Sequence, residues 1–319
     1  VRPVRTAFAG ALLGVLALAG CGQATTTDSG AGTTASPTAP ASSSAAFPVT
    51  VQAGNGAVSI AKRPERIVSL SPTATETLFA IGAGPQVVAV DDQSDYPAEA
   101  PKTSLSGFKP NAEAIAEHNP DLVVLANDAG GIVAELGKLQ VPVLLEPAAT
   151  KLEESYDQIT DLGAATGNAE AAATLAATVK RRVEQAASAV PKDHDLSYYH
   201  ELDVTPYAAT SGTFIGQIYA RFGLTNIADE APGAAGGYPK LSAEFVAEAD
   251  PDLIFLGDTV CCGQSKETLA KRPGWSGLSA IKNDRVVELD DDIASRWGPR
   301  IADFAEQVGR SVTAAASAS

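Results

Sequence analysis

The sequence holds 319 residues, 45% of them hydrophobic and 19% charged, which is chain enough for about two domains with real cores. A formal net charge of −15 excludes nucleic acid as a partner, because phosphate binding needs clustered Lys and Arg, and it equally excludes a polybasic hold on a membrane surface. There is no Gly-x-Ser-x-Gly elbow, no Gly-rich loop ending in Gly-Lys-Ser/Thr and no His-Glu-x-x-His, so neither an enzyme nor a cofactor is expected.

The chain opens with Arg2 and Arg5, then an apolar run from Ala7 to Ala19 that is too short to span a bilayer. Residues 1–20 therefore read as a signal peptide. Its end, Leu18-Ala19-Gly20-Cys21, resembles the lipobox of bacterial lipoproteins. That resemblance implies that Cys21 is acylated and that the chain is anchored to the outer face of the cytoplasmic membrane. Residues 21–46 are almost all Thr, Ser, Ala, Gly and Pro, a composition that builds no core. As a tether they reach roughly 25–30 Å.

The folded part begins at residue 47. Val49–Gln52 and Ala57–Ile60 flank Asn55-Gly56 and predict a hairpin. Short apolar runs at Ile67–Leu70, Val87–Val90, Leu122–Leu125 and Val143–Leu145 alternate with helical stretches, which predicts an α/β lobe with a mostly parallel sheet over residues 47–150. Residues 151–192 are a helical connection. Within it Ala169–Val190 lacks Pro and Gly and repeats Leu175, Val179 and Val183 on one face, a strut of roughly 33 Å. One helical crossing implies a stiff hinge with modest closure. The strands Ser197–Leu202, Leu253–Leu256 and Val286–Leu289 then predict a second α/β lobe over residues 193–319, with Thr210–Thr213 capping a helix from Phe214.

The lobes share a segment. Ala112-Glu113-Ala114-Ile115-Ala116-Glu117, ending in Asn119-Pro120-Asp121-Leu122, matches Ala243-Glu244-Phe245-Val246-Ala247-Glu248, ending in Asp250-Pro251-Asp252-Leu253. Each copy reads as a helix entering a buried strand, which points to two Rossmann-like lobes of common design. In open parallel sheets a ligand sits beyond the carboxyl ends of the strands. The loops there are Ser71–Thr75, Asp91–Tyr96, Thr103–Phe108 and Asn127-Asp128 on one lobe, and Asp203–Ser211, Asp258–Gln264 and Asp290–Trp297 on the other. They supply Tyr96, Phe108, Tyr207 and Trp297 as stacking surface, Arg296, and several carboxylates. Asp291 is read as a solvated loop residue.

Arg66-Ile67-Val68-Ser69-Leu70-Ser71-Pro72-Thr73-Ala74-Thr75-Glu76, then Ser94-Asp95-Tyr96-Pro97, the two Pro-Asp-Leu segments and Gly298-Pro299-Arg300 resemble the iron-siderophore/cobalamin class of periplasmic binding proteins. The resemblance implies class III architecture, two lobes bridged by a single long helix, and a monomer serving the permease dimer of an ABC importer. It is closest to the vitamin B12-binding branch, whose last-strand loop carries an Asp and an Arg that match Asp292 and Arg296. Phe108 and Tyr238 stand where that branch has tryptophans, and Gln93 and Asn127 replace a tyrosine and a tryptophan. With Tyr96 and Trp297 these are the expected ligand-binding residues. The implied ligand is a ferric siderophore or a corrinoid, with haem or a bare transition-metal ion as alternatives. Arg296 is expected to meet an anionic chelate through charge-assisted hydrogen bonds. The resemblance also assigns Glu113 and Glu244 to docking on permease arginines. The repeat pairs the same two residues, each at the start of a helix that leads into a strand and so at the cleft mouth.

Cys261 and Cys262 are adjacent, and an oxidising compartment leaves a vicinal disulfide or two free thiols open. His118, His194 and His200 are scattered, so no direct metal site is expected.

Overall fold

Two adjacent strands start the described part of the molecule, a computed structural model in which residues 47–318 are described. The signal peptide, Cys21 and the tether lie outside the described residues. β1 (Val49–Ala53) and β2 (Gly56–Ile60) form the expected antiparallel hairpin, with Ala53 opposite Gly56. Gly56 turns the chain at φ +98°, where a side chain would be strained. The tip caps the edge of the neighbouring sheet, since Asn55 Nδ2 donates to Val143 O at 2.9 Å and Gly54 N to Leu145 O at 2.7 Å. An open strand edge is thereby covered.

The first lobe runs β3 (Ile67–Leu70), α1 (Pro72–Ala80), β4 (Val87–Val90), α2 (Ala112–Ala116), β5 (Leu122–Leu125), α3 (Ile132–Lys138) and β6 (Val143–Leu145). Its strands pair in parallel in the order β4-β3-β5-β6. Every residue of β3 and β5 is buried, as a sheet covered on both faces requires, which is why β5 reads as an unbroken apolar run and β3 as one broken only by Ser69. The second lobe follows with β7 (Ser197–Glu201), α6 (Phe214–Ala220), β8 (Thr225–Asn226), α7 (Ala243–Ala249), β9 (Leu253–Leu256), α8 (Thr259–Cys262), α9 (Lys266–Ala270), α10 (Ser279–Lys282), β10 (Val286–Glu288), α11 (Asp291–Ser295) and α12 (Ile301–Ser317), joined as β10-β9-β7-β8. In both sheets the first strand is flanked by the second and the third, so the order reverses at the carboxyl ends of β3 and β7. That is where such folds leave a crevice.

Between the lobes stand α4 (Leu152–Thr166) and α5 (Ala169–Ser188), named here out of chain order. α5 is the expected bridging helix. Asn168 at its start donates to Gln86 of the first lobe at 3.2 Å. At its far end Gly309 of α12 approaches so closely that a Cβ would lie 3.2 Å from Ala186 O. Arg182 fastens the same pair of helices through Asp303 at 2.6 Å and Glu306 at 2.8 Å. α4 doubles the crossing, folding back along α5 from Gly167, which takes φ +77°. One apolar core runs from Val51 through both helices to Val312, while two smaller cores line the outer faces of the sheets. No helix among the described residues is long and apolar enough to cross a membrane.

Candidate ligand-binding site

α1 organises the first lobe's side of the crevice. Ser71 caps it, accepting from Ala74 N at 3.3 Å, with Pro72 behind. One turn on, Thr75 Oγ1 lies 2.9 Å from both Ser69 and Ser94 Oγ, which pins the loop after β4 to β3. Glu76, only 3% exposed, receives two arginines from the other lobe. Arg300 binds it bidentately, Nε at 2.9 Å from Oε2 and Nη2 on Oε1, and Arg296 Nη1 donates to Oε1 at 3.1 Å. Arg296 also reaches Asp95 at 3.4 Å, Gln93 O at 3.1 Å and Asp292 at 2.6 Å. The Arg300 guanidinium lies 4.2 Å from the centre of the Tyr96 ring.

Beside this ion-pair network is a pocket of about 370 Å³, within the range for small-molecule sites. Its lining unites five of the expected ligand residues, Gln93, Phe108, Asn127, Arg296 and Trp297, with Leu70, Ser71, Pro72, Thr73, Asp91, Gly107, Ala126 and Ala148. Phe108 is 75% exposed and available for stacking. Asn127 is held in place, donating to Gly107 O at 3.3 Å. Trp297 lines the pocket with its indole N–H fixed on Gln158 Oε1 at 2.8 Å. Three other expected ligand residues are not in the lining. Tyr96 lies beneath Arg300, Asp292 pairs with Arg296, and Tyr238 is half-exposed on a loop of the second lobe. The exposed aromatics among the described residues, Tyr96, Phe108, Tyr207 and Tyr238, all lie on loops at this side of the sheets or in the resemblance's ligand set.

Arg296 is engaged within the protein. Its guanidinium answers acidic partners across the cleft and along its own loop instead of standing free for an anionic ligand. Sequence reasoning also missed Glu76 and Arg300 as parts of the site, and took Asp91 only as part of a cleft loop. Asp91 lines the pocket at 4% exposure, with Oδ1 lacking a partner. Burial raises its pKa, and hydrogen bonding to Ser94 pulls the other way. A Cβ on Gly107 would sit 2.5 Å from Asp91 Oδ2, so only glycine fits beside it. Behind Trp297, burial, aided by the nearby Asp161, pushes Glu146 up to about 8.

The second lobe's strand ends are built differently. Arg272 binds Glu201 bidentately at 2.6 Å on each oxygen, lies 4.6 Å over Trp275, and donates to Gln264 at 2.8 Å. Tyr199 OH donates to Glu201 at 2.9 Å. Asp258, fully buried nearby, is raised by desolvation and then by the Glu201 carboxylate. Cys261 and Cys262 close as a vicinal disulfide in α8. Asp291 is no mere solvated residue. Its carboxylate accepts Thr259 N at 2.8 Å, Val260 N at 3.0 Å and Cys261 N at 2.6 Å, capping α8. His200 is a core residue on Tyr219 OH at 2.8 Å, and burial lowers it to about 3. His194 lies 3.0 Å from Phe222 O. Among the described residues no three His, Cys, Asp or Glu side chains are grouped for a metal ion.

Glu113 and Glu244 occupy equivalent places, each exposed in the first turn of its helix behind a capping residue. Asn111 accepts from Ala114 N at 2.8 Å and Ser242 from Phe245 N at 3.1 Å.

Residues 67–293 match the periplasmic binding protein family. An uncharacterized ABC transporter substrate-binding lipoprotein of Bacillus subtilis, YvrC, is 30% identical over 318 residues, 96% of each chain. A cobalamin-binding protein of Halobacterium salinarum is 34% identical over 269 residues, 81% of this chain and 72% of that one. Among solved structures, the periplasmic heme-binding protein RhuT from Roseiflexus sp. RS-1 aligns with a TM-score of 0.68 and 27% identity, covering 79% of this chain and 99% of its own.

Proposed function

Because the chain belongs to the periplasmic binding protein family, we propose that it captures a bulky corrinoid or ferric siderophore between its lobes and delivers it to an ABC importer. The observation that carries this is the pocket at the carboxyl ends of β3 and β5, closed from the other lobe by Arg296 and Trp297. Gln93, Phe108, Asn127, Arg296 and Trp297 form the ligand contacts, with Tyr96, Tyr238 and Asp292 at the rim. Lipidation at Cys21 holds the monomer at the outer face of the cytoplasmic membrane. Glu113 and Glu244 dock on the permease dimer. The cobalamin-binding relative supports a corrinoid and the heme-binding neighbour supports, as the alternative, haem.

Titration calorimetry of the purified chain with cyanocobalamin, a ferric hydroxamate, a ferric catecholate and haem tests this reading. One class should bind at about 1 μM or tighter, which corresponds to roughly −8 kcal/mol. Failure of all four to bind would overturn it.

A further inference from the structure

We infer that Glu76 sets the charge class of the ligand, holding both cleft arginines so that the pocket accepts neutral or cationic ligands and turns away anionic chelates. The inference rests on the cleft being the binding site, as read above, and narrows what it takes.

A guanidinium carries two N–H on each terminal nitrogen and one on Nε. Arg296 Nη1 faces Glu76 Oε1 at 3.1 Å and Asp95 Oδ1 at 3.4 Å, and Nη2 faces Gln93 O at 3.1 Å and Asp292 Oδ1 at 2.6 Å. Three of these contacts are hydrogen bonds and the fourth, with Asp292, is an ion pair, so both terminal nitrogens face partners inside the protein. Arg300 is bound bidentately to the same Glu76, and its face lies on Tyr96. Two positive charges therefore meet three carboxylates directly, Glu76, Asp95 and Asp292, with Asp290 acting on Arg300 from close by. The other ionisable side chain in the pocket lining is Asp91, and no lysine lines it. The side that faces a ligand is neutral to negative.

An anionic ligand would have to draw Arg296 away from a carboxylate that is 3% exposed. Glu76 would keep Arg300 but lose one of its two counter-charges, and the anion would have to compete with Asp95 and Asp292 as well, which translates into an affinity loss of about ten-fold or more. A neutral ligand rich in amides, or a cationic one, meets no such barrier. It finds acceptors ready in Asp91 and Asn127.

The test uses two matched pairs and a bare anion. The pairs are cyanocobalamin with its monocarboxylic acid, and a cationic ferric trihydroxamate with its succinylated, anionic form. The bare anion is inorganic pyrophosphate, which reads the arginines without any chelate framework. For whichever pair binds, the neutral or cationic member should bind at least about ten-fold tighter, and pyrophosphate should show no binding at millimolar concentration. Glu76→Gln should narrow the gap within the pair about ten-fold and admit pyrophosphate. Asp292→Asn, at the more exposed end of the network, should do the same more weakly and covers the case in which Glu76→Gln does not fold. If neither pair binds but the variants gain pyrophosphate, the ligand class is wrong and the charge rule stands. The inference is overturned if the anionic member binds as well as its partner, if the unaltered chain binds pyrophosphate in the cleft, or if no folded variant changes either result.

Discussion

At the carboxyl end of the first lobe's sheet, Leu70, Asp91 and Asn127 border an open pocket. At the matching end of the second lobe's sheet, Glu201, Asp258 and Arg272 fill the space with a buried ionic cluster. The two sheets have the same strand order, so topology alone leaves a crevice in both. What differs is whether an arginine occupies the space. Glu201 has a bidentate arginine and a tyrosine, whereas Asp91 keeps an oxygen without a partner. An arginine seated on a buried carboxylate and an indole is a structural plug, even though Asp258 beside it, like Asp91, keeps oxygens without a hydrogen-bond partner. The second lobe therefore contributes to the pocket through the loop after β10, where Arg296 and Trp297 lie.

The largest effect should come from breaking the plug. Arg272→Ala leaves Glu201, fully buried, without its counter-ion, and such losses cost about 3–5 kcal/mol. Guanidinium denaturation of the variant against the parent chain measures it. A change under about 1 kcal/mol would mean that the two lobe ends are not built as contrasted here.

On the pocket side, Gly107→Ala should cost about 1–3 kcal/mol by overpacking, because the new Cβ would lie 2.5 Å from Asp91 Oδ2 and 2.9 Å from Leu70 O. The same methyl intrudes where Phe108 and Asp91 border the pocket, so ligand affinity should fall with stability. Stability loss with unaltered affinity would place the ligand elsewhere.

A third comparison uses pH. Glu146 keeps its proton in the folded chain up to about 8, against an ordinary value of 4.5. Between those values the folded state binds more protons than the unfolded one, so stability falls as pH rises through that window. Asp161, raised to about 6 mainly by burial, acts in the same direction. His200 acts oppositely, since its value of about 3 makes stability fall as pH drops below 6.5. Glu146→Gln should flatten the decline between pH 5 and 8, on the order of 1 kcal/mol per pH unit. Thermal melts across that range would show it, and an unchanged slope would assign the decline to other groups.

The sheets were legible because parallel strands buried on both faces demand continuous apolar runs; β5 and β9 consist of nothing else, and β3 is broken by Ser69 alone. The Asn55-Gly56 turn was equally plain. β8 escaped because two residues carry no pattern. The pocket loops and Phe108 followed from topology, while Gln93 and Asn127 were singled out by the family resemblance. The ionic contacts did not follow. Arg300 meets Glu76 across 224 residues and Arg272 meets Glu201 across 71, separations at which no local periodicity encodes a partner. Arg296 was found as a residue, and its sequence neighbours offer Asp292 as a partner but reveal nothing of Glu76.

The smallest effect should come from the vicinal disulfide. Cys261 and Cys262 are one residue apart, so their bond closes a very short loop and restricts the unfolded chain little, about 1 kcal/mol on the chain-entropy account. α8 is held in place chiefly by the Asp291 carboxylate on three of its N–H groups, which also ties it to α11 and so to the loop bearing Arg296. Cap losses run at about 0.5–2 kcal/mol. Asp291→Ala should therefore destabilise more than the double replacement Cys261→Ser, Cys262→Ser, and it should also weaken ligand binding, because α11 loses its anchor. The double serine variant should bind ligand within about twofold of the parent, as a change away from the pocket lining and the interlobe ion pairs should. Calorimetry and melts on both variants decide the order. If the serine variant loses more affinity than Asp291→Ala, the disulfide, and not the carboxylate, positions the second lobe's contribution to the cleft.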